Sequence, residues 1–499
     1  MDMSASTRKT EGDTNLHIDA QPLNKEHGQP LYAGREKIYA KLVTGPFRNA
    51  KWIIMAVTLG IYYLTPWIRW DRGPSAPDQA VLVDFPGRRF YFFFIEIWPQ
   101  EVYYITGLLI LAAVGLFLVT SIAGRVWCGY ACPQTVWTDL FIYVERLVEG
   151  DRNKRMRLDK APWTIGKLSR KTLKHAIWLL IAIATGGAWV FYFADAPTLA
   201  RELLTFEAQP IVYLSIGLFT FTTYLLGGIA REQVCTYMCP WPRIQGAMFD
   251  ENTFAVSYKA DRGEPRGAHK KGDSWDDRGD CIDCNQCVAA CPMGIDIRDG
   301  LQLECIQCAL CIDACDSIMA KIDRPKGLIG YDSLQNQRAR ETGSGDRTRV
   351  IRPRTIIYVG VLALVAMIMV TALVLRTPTE VNVIADRNPL FVQLSNGDIR
   401  NGFTVKILNK GDARAVFDVS IDGLEGATIS RGLNRDSNAL SLDVPADSLE
   451  TGKFFVQVSR EAFSQQSNEK GTATFSIIIQ NKDTNYRVVE TVSFKGPSS

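Results

Sequence analysis

The sequence predicts a multidomain membrane protein, in which an α-helical bundle of about five transmembrane spans carries a cysteine-rich insert and is followed by an all-β domain. Five apolar stretches approach the ~20 residues that a helix needs to cross the hydrocarbon of a bilayer. All twelve cysteines fall in four short motifs. Residues 377–499 contain no cysteine and alternate apolar with polar residues, as strands do.

The composition excludes several classes of protein. The 499 residues carry a net charge of +3, which is too small to favour nucleic-acid binding. Four histidines and the absence of a Cys-x-x-Cys-His motif exclude covalently attached haem. Secreted disulfide proteins scatter their cysteines among loops, whereas these cysteines are closely and regularly spaced. Metal binding or redox chemistry is therefore the predicted role of the cysteines.

The basic residues around the apolar stretches predict the topology. Arg and Lys are concentrated in residues 124–174, whereas residues 194–210 contain only Arg201. Basic loops stay on the cytoplasmic side of a membrane. We therefore expect the cysteine-rich insert to face the cytoplasm and residues 377–499 to face the periplasm. The five predicted spans are 52–68, 102–122, 173–193, 211–229 and 356–375.

The predicted domains follow from these spans. The last one is assigned as an immunoglobulin-like sandwich because "NGFTVKILNK", "AVFDVSID", "KFFVQVSR", "ATFSIIIQNK" and "YRVVETVSFKG" alternate between turn residues. The domains are a cytoplasmic N-terminal segment (1–50), a four-helix transmembrane region with a first Cys-x-x-x-Cys-Pro motif (51–229), a cytoplasmic region with a second such motif and eight further cysteines (230–354), a fifth transmembrane helix (355–376) and the periplasmic β domain (377–499).

The eight further cysteines indicate an inserted bacterial-type ferredoxin domain with two iron–sulfur clusters. "CIDCNQCVAACP" and "CIQCALCIDAC" have the spacing in which the fourth cysteine of each run binds the other cluster. Zinc is the alternative, although it rarely takes two such runs. Asp316 follows the last cysteine, where soluble ferredoxins usually have proline. The predicted ligands are Cys281, Cys284, Cys287 and Cys315 for the first [4Fe–4S] cluster, and Cys291, Cys305, Cys308 and Cys311 for the second.

The two Cys-x-x-x-Cys-Pro motifs, "RVWCGYACP" and "EQVCTYMCP", follow the second and fourth spans. On a helix, residues four apart share a face, and the proline bends or stops the helix. The spans resemble parallel repeats, which would bring Cys128, Cys132, Cys235 and Cys239 together at the cytoplasmic surface. Such thiols suit Cu(I), another iron–sulfur cluster or a dithiol–disulfide couple. The alternative is that they are small buried packing residues.

With these motifs, the chain resembles the FixG/RdxA/CcoG family, which are assembly factors of the cbb-type haem–copper cytochrome c oxidase. The resemblance covers nearly the whole chain and includes "DFPGRRFYFF", "WPQEVYY" and "RPKGLIGYDS". It implies a bacterial inner-membrane protein that reduces Cu(II) to Cu(I) for the oxidase, with copper chaperones and oxidase assembly proteins or subunits as partners. It further implies that Cys128, Cys132, Cys235 and Cys239 bind or reduce copper, with the ferredoxin cysteines as the electron relay.

Two other functions fit the same motifs. A quinol dehydrogenase subunit of the NapH or NosR kind shares the Cys-x-x-x-Cys-Pro motifs and the double cluster run, but would turn over no copper. A non-catalytic assembly scaffold would use the β domain for docking and the clusters only to sense redox state. The sequence has no dinucleotide-binding glycine fingerprint, so the expected electron donor is another protein or a membrane quinol.

Overall fold

A computed structural model describes residues 37–73, 76–269, 274–345, 348–411, 413–431, 434–435, 439–484 and 486–497. The first 36 residues of the predicted N-terminal segment therefore lie outside the described residues. The chain divides into two compact units. One contains the residues up to Arg69 and Gln79–Met369, and the other contains Trp70–Asp78 and the residues from Val370 onward.

Helices form most of the first unit. Two segments, Tyr224–Ala230 and Val234–Met238, have π-helical hydrogen bonding, which is rare and often found at functional sites. The α-helices of the described residues are α1 (Pro46–Leu64), α2 (Tyr103–Ala123), α3 (Val126–Tyr130), α4 (Pro133–Glu149), α5 (Arg152–Lys160), α6 (Ile165–Val190), α7 (Ala196–Thr205), α8 (Pro210–Thr223), α9 (Trp241–Ala247), α10 (Ala260–Gly263), α11 (Gln286–Ala290), α12 (Leu310–Met319), α13 (Leu334–Glu341), α14 (Pro353–Val374) and, in the second unit, α15 (Arg460–Gln466).

Within the described residues, four helical segments are long and apolar enough to cross a membrane. They are Pro99–Ala123, Ile165–Val190, Pro210–Ala230 and Pro353–Val374. Four of the five predicted spans meet this standard of length and composition, and the predicted span 52–68 does not. The predicted span 52–68 is mostly helical as α1, but this helix begins six residues earlier and includes Arg48 and Lys51. These two charged residues lower the mean hydropathy of α1.

Buried ion pairs on α4 join the helices of the first unit near their ends. The Glu145 carboxylate is fully buried and lies 2.9 Å from Arg155 and 3.0 Å from Arg231. Asp139 lies 2.9 Å from Arg48 on α1. Because buried charges require partners, these contacts fix α1 and the segment after α8 against α4.

The ferredoxin region is built from two similar loop-and-helix segments. Each loop has residues with positive φ two and four positions after its first cysteine: Asp283 and Asn285 in one, Gln307 and Ala309 in the other. The loops lead directly into α11 and α12, which pack against each other. Strands β4 (Ala255–Tyr258) and β5 (Ile329–Asp332) form an antiparallel pair beside them. The repeated backbone geometry matches the repeated cysteine spacing.

The second unit contains a sandwich of two antiparallel sheets. The strands are β6 (Thr379–Ala385), β7 (Val392–Gln393), β8 (Ile399–Asn409), β9 (Ala415–Asp422), β10 (Thr428–Arg431), β11 (Asn434–Arg435), β12 (Ala439–Val444), β13 (Ser448–Val458), β14 (Thr472–Asn481) and β15 (Arg487–Lys495). One sheet has the order β11-β10-β13-β8-β6 with β7 beside β8, and the other has the order β12-β9-β14-β15.

The core of the sandwich contains the fully buried rings of Phe403 and Phe454, with centroids 5.8 Å apart. The five strand-like segments predicted above are confirmed as β8, β9, β13, β14 and β15.

A small three-stranded sheet precedes α2 in the first unit. Its antiparallel strands are β1 (Val81–Asp84), β2 (Arg89–Phe92) and β3 (Ile95–Ile97).

Candidate functional site: three groups of cysteines

The cysteines of the two ferredoxin runs line two cavities. Four of them, together with apolar side chains and Arg298, line the first cavity. These are Cys281, Cys284, Cys287 and Cys315. Three cysteines thus come from one run, and the last comes from α12 of the other run.

The second cavity has the complementary arrangement. It is lined by Cys291, Cys305, Cys308 and Cys311. Cys287 also borders it, so the two cavities are neighbours. A redox group in either cavity would therefore lie close to the other.

The chemistry of both cavities fits iron–sulfur clusters. Burial raises the pKa of Cys287 and Cys291 to about 12, and that of Cys305 to about 11. These thiols are therefore neutral without a metal, and iron ligation deprotonates them. Main-chain N–H groups of Gln286 and Gln307 donate hydrogen bonds to Cys284 and Cys305, respectively, as is common for cluster ligands.

The geometry of the two ferredoxin cavities does not favour zinc. Throughout the described part of the chain, no three His, Cys, Asp or Glu side chains are placed to hold one metal ion. Zinc requires such convergence of its ligands. The four ligands of a [4Fe–4S] cluster each bind a different iron, so they surround a volume rather than a point.

The first Cys-x-x-x-Cys-Pro motif begins where α2 ends. Gly124 has a φ of +58°, which ends α2, and α3 then carries Cys128. Cys132 is extended and precedes Pro133, the first residue of α4. The residue before a proline is driven toward extended conformations, so the chain turns between the two cysteines.

The second motif repeats this plan in π-helical geometry. Cys235 lies in the π-helical segment Val234–Met238, and Cys239 is extended before Pro240. The expectation that the proline stops the helix is confirmed in both motifs. The expectation that both thiols of a pair share one helix face is wrong, because each helical segment ends before the second cysteine.

The fold brings these four cysteines together, and we call Cys128, Cys132, Cys235 and Cys239 the four-cysteine site. Burial raises the pKa of Cys128, and the neighbouring Cys132 and Cys239 raise it further. Burial also raises the pKa of Cys235 to about 12, with contributions from the other three thiols. All four sulfur atoms are thus within electrostatic reach of one another, as the repeat of the spans predicts.

The four-cysteine site packs directly on the loop that lines the second ferredoxin cavity. A Cβ atom at Gly129 would lie 2.7 Å from the Ile306 carbonyl oxygen and 3.0 Å from the main chain of Cys308. Cys128 and Cys235 belong to the same packed apolar group as Cys308. Glycine at position 129 therefore allows two cysteine motifs to approach each other closely.

Sulfur donors also line a small cavity beside this site. It is bordered by Cys235, Met293, Asp139 and Arg231. Thiols and thioethers are soft ligands that favour Cu(I). The cavity therefore offers a volume next to Cys235 where a soft ion could be held.

Two buried polar residues organise the site. The Cys128 thiol donates to Gln245 Oε1 at 3.1 Å, and Gln245 Nε2 donates to Thr120 Oγ1 at 3.2 Å. Gln245 lies on α9, so this chain of hydrogen bonds joins the first motif to the helix that follows the second. The charge of Arg125 lowers the pKa of Cys128 against the larger effect of burial, and acts likewise on Cys235.

Sequence reasoning missed Arg125, Gln245 and the Glu145–Arg231 ion pair. One signal was available: an arginine precedes the first cysteine of each motif, Arg125 by three positions and Arg231 by four. Nothing in the sequence indicated Gln245, because its role depends on the return of α9 to α2.

Three family models match the chain. Residues 230–334 match a "4Fe-4S dicluster domain", residues 105–154 match a "4Fe-4S binding domain", and residues 369–497 match an "IG-like fold at C-terminal of FixG". The β domain is therefore immunoglobulin-like, as predicted. The segment 105–154 includes the first Cys-x-x-x-Cys-Pro motif.

Curated relatives match most of the chain. The nitrogen fixation protein FixG of Rhizobium meliloti is 50% identical, with 97% of each chain covered. The RdxB protein of Cereibacter sphaeroides is 56% identical, with 85% of this chain and 90% of RdxB covered. The RdxA protein of the same organism is 52% identical, with 85% of this chain and 89% of RdxA covered. These matches agree with the membrane helices and the cysteine sites. The chain belongs to the FixG/RdxA family of iron–sulfur electron-transfer proteins.

Proposed function

We propose that this protein reduces Cu(II) to Cu(I) at the four-cysteine site, and that the electrons arrive through the two ferredoxin sites. The Cu(I) would serve assembly of the copper centre of a cbb-type cytochrome c oxidase. The observation that carries the proposal is the packing of the Cys128 segment on the Cys308 loop, with Gly129 as the contact point.

The ligand assignment at the ferredoxin sites is part of this proposal. Two [4Fe–4S] clusters, when bound, would supply one-electron redox chemistry. Cys281, Cys284, Cys287 and Cys315 would hold the first, and Cys291, Cys305, Cys308 and Cys311 the second, each set lining its own cavity. Cys287 borders both cavities and shortens the path between them.

The copper step is a single electron transfer. Cu(II) accepts one electron and becomes Cu(I), and no bond to the protein needs to break. Soft sulfur ligands bind Cu(I) more favourably than Cu(II), so the thiols of the four-cysteine site and the Met293 thioether would raise the potential of bound copper. The electron donor that restores the reduced protein is a redox protein or a membrane quinol.

The topology of the proposal follows the basic residues. The cysteine-bearing segments 124–164 and 231–352 would face the cytoplasm and the β domain the periplasm of a bacterial inner membrane. Copper chaperones and oxidase assembly proteins or subunits would be the partners.

Anaerobic reduction of Cu(II) tests the proposal. The protein is reduced with dithionite, freed of excess reductant and mixed with Cu(II), while visible absorbance follows the clusters and bicinchoninate reports Cu(I). We expect one Cu(I) for each reduced cluster. Cys128→Ala and Cys235→Ala should abolish Cu(I) formation while the clusters remain reducible. Thr236→Ala is the matched control within the second motif, because its hydroxyl donates to the Glu232 carbonyl oxygen and to no other described residue.

Undiminished Cu(I) formation in both cysteine variants would remove the four-cysteine site from the reaction. Oxidation of a quinol by the protein without any reduction of Cu(II) would instead support the quinol dehydrogenase function. Normal oxidase assembly by cluster-ligand variants, with assembly lost on deletion of the β domain, would support the scaffold function.

A further inference from the structure

Arg125 is a buried cation without a carboxylate partner. The residue is 3% exposed, and no Asp or Glu of the described residues forms an ion pair with it. One guanidinium nitrogen donates to the carbonyl oxygen of Leu303, and Nε has no hydrogen-bond partner among the residues that the structure describes. A buried charge is strongly destabilising unless a charge of opposite sign lies nearby.

The position of Arg125 is fixed between two groups of cysteines. Its main-chain N–H donates to Gln307 Oε1 at 2.9 Å, and Gln307 lies in the loop of the second ferredoxin cavity. Its guanidinium charge also acts on the thiols of Cys128, Cys235 and Cys305. The arginine therefore lies within electrostatic reach of both the four-cysteine site and the second ferredoxin site.

The first ferredoxin site has a different electrostatic arrangement. Arg298 lines that cavity, but it is paired with Asp296 at 2.6 Å and with Asp283 at 2.5 Å. Its charge is thus balanced by protein carboxylates before any cluster binds. No Asp or Glu of the described residues balances Arg125 in this way, so we expect the opposite charge to come from the neighbouring thiolates when they bind metal.

We propose that Arg125 is the shared counter-ion of the four-cysteine site and the second ferredoxin site, and that it raises the reduction potential of the cluster at the second site. A fixed positive charge stabilises the state with the additional electron, and net charge around a cluster is one determinant of its potential. Arg125 acts on the redox centres through its charge, so it is a positioning and tuning residue. This inference rests on the cluster ligands of the proposed function, but not on copper as the substrate.

Redox titration followed by electron paramagnetic resonance tests this role in the full-length protein. Arg125→Met and Arg125→Gln remove the charge, and Gln retains a donor for Leu303. We expect both to shift the reduction equilibrium of one cluster at least tenfold toward the oxidised state, which is a decrease of about 59 mV. Arg125→Lys should keep most of the wild-type potential. The other cluster should be unchanged in all three variants.

Arg243→Met is the matched control, because Arg243 is an exposed arginine on α9. Iron and sulfide contents are measured for every variant, so that a lost cluster is not mistaken for a shifted one. Wild-type potentials in both neutral variants, or an equal shift in Arg125→Lys, would overturn the inference. A shifted potential in a protein that reduces no Cu(II) would support the role of Arg125 while the proposed function fails.

Discussion

Replacement of Glu145 by glutamine tests whether a buried ion-pair network positions the second Cys-x-x-x-Cys-Pro motif. The Glu145 carboxylate contacts Arg155 and Arg231 at 2.9 and 3.0 Å, and the amino groups of Lys37 and Lys174 lie 3.7 and 3.8 Å away. Glutamine has nearly the same shape but no charge. The substitution therefore leaves two buried guanidinium groups without their counter-ion.

The structure gives the expected loss of folding stability in Glu145→Gln. Burial raises the pKa of Glu145, but Arg231, Arg155 and the two lysines overcome this effect and lower the pKa from 4.5 to about 2. That difference corresponds to about 3 kcal/mol of stabilisation. Removal of one partner of a buried ion pair typically costs about 3–5 kcal/mol, which agrees. Because the pKa is lower in the folded state, this stabilisation is complete above pH 4.5 and is lost as the pH falls toward 2.

Thermal unfolding of the detergent-solubilised protein measures the effect. Glu145→Gln should lower the melting temperature by at least about 3 °C, and the difference from wild type should stay constant between pH 7 and pH 5. The matched control is Glu251→Gln, since Glu251 pairs with Arg338 at the surface and such pairs contribute about 0–1 kcal/mol. Equal melting temperatures of the two variants would refute the reasoning.

Three further predictions concern the cysteine sites and the β domain. Cys315→Ala should halve the iron content of the full-length protein, because Cys315 lines only the first cavity; an unchanged iron content would contradict its role as a ligand. Gly129→Val should slow Cu(I) formation with both clusters retained, because the new Cβ would lie 2.7 Å from the Ile306 carbonyl oxygen; wild-type kinetics in stopped-flow mixing would argue against the contact. Phe403→Ala should destabilise the β domain by about 3–5 kcal/mol, since its ring is fully buried, whereas the half-exposed Val489 should tolerate alanine in the same unfolding assay.

The features that the sequence predicted well are those set by local patterns. The strands of the β domain follow the alternation of apolar and polar residues, and β9 has the bounds of the segment "AVFDVSID". The spacing of the ferredoxin cysteines likewise predicts two loops, and the positive φ angles of Asn285 and Ala309 occur at the same position in each. Short sequence ranges determine these features, so one sequence is enough to find them.

The features that the sequence did not predict depend on contacts between distant residues. Gln245 reaches Cys128 only because α9 returns to the end of α2. Arg125 becomes a buried cation because the Leu303–Gln307 loop covers it. The turn within each cysteine pair also differs from the prediction. The spacing of four residues indicates one helix face, but the proline after the second cysteine drives that cysteine into an extended conformation.

Other contacts between distant residues explain why α1 lies beside the other helices although its first turns are charged. Arg48 and Lys51 face Asp139 on α4 rather than lipid, and at the other end of α1 the Tyr62 hydroxyl donates to the Thr185 carbonyl oxygen on α6. With 19 residues at 1.5 Å each, α1 is about 28 Å long, close to the thickness of the hydrocarbon core. Between these contacts, side chains such as Ile53 are exposed and apolar. The fold thus pairs the two cations of α1 with a carboxylate. The Asp139 ion pairs therefore allow a helix with charged first turns to run alongside α6.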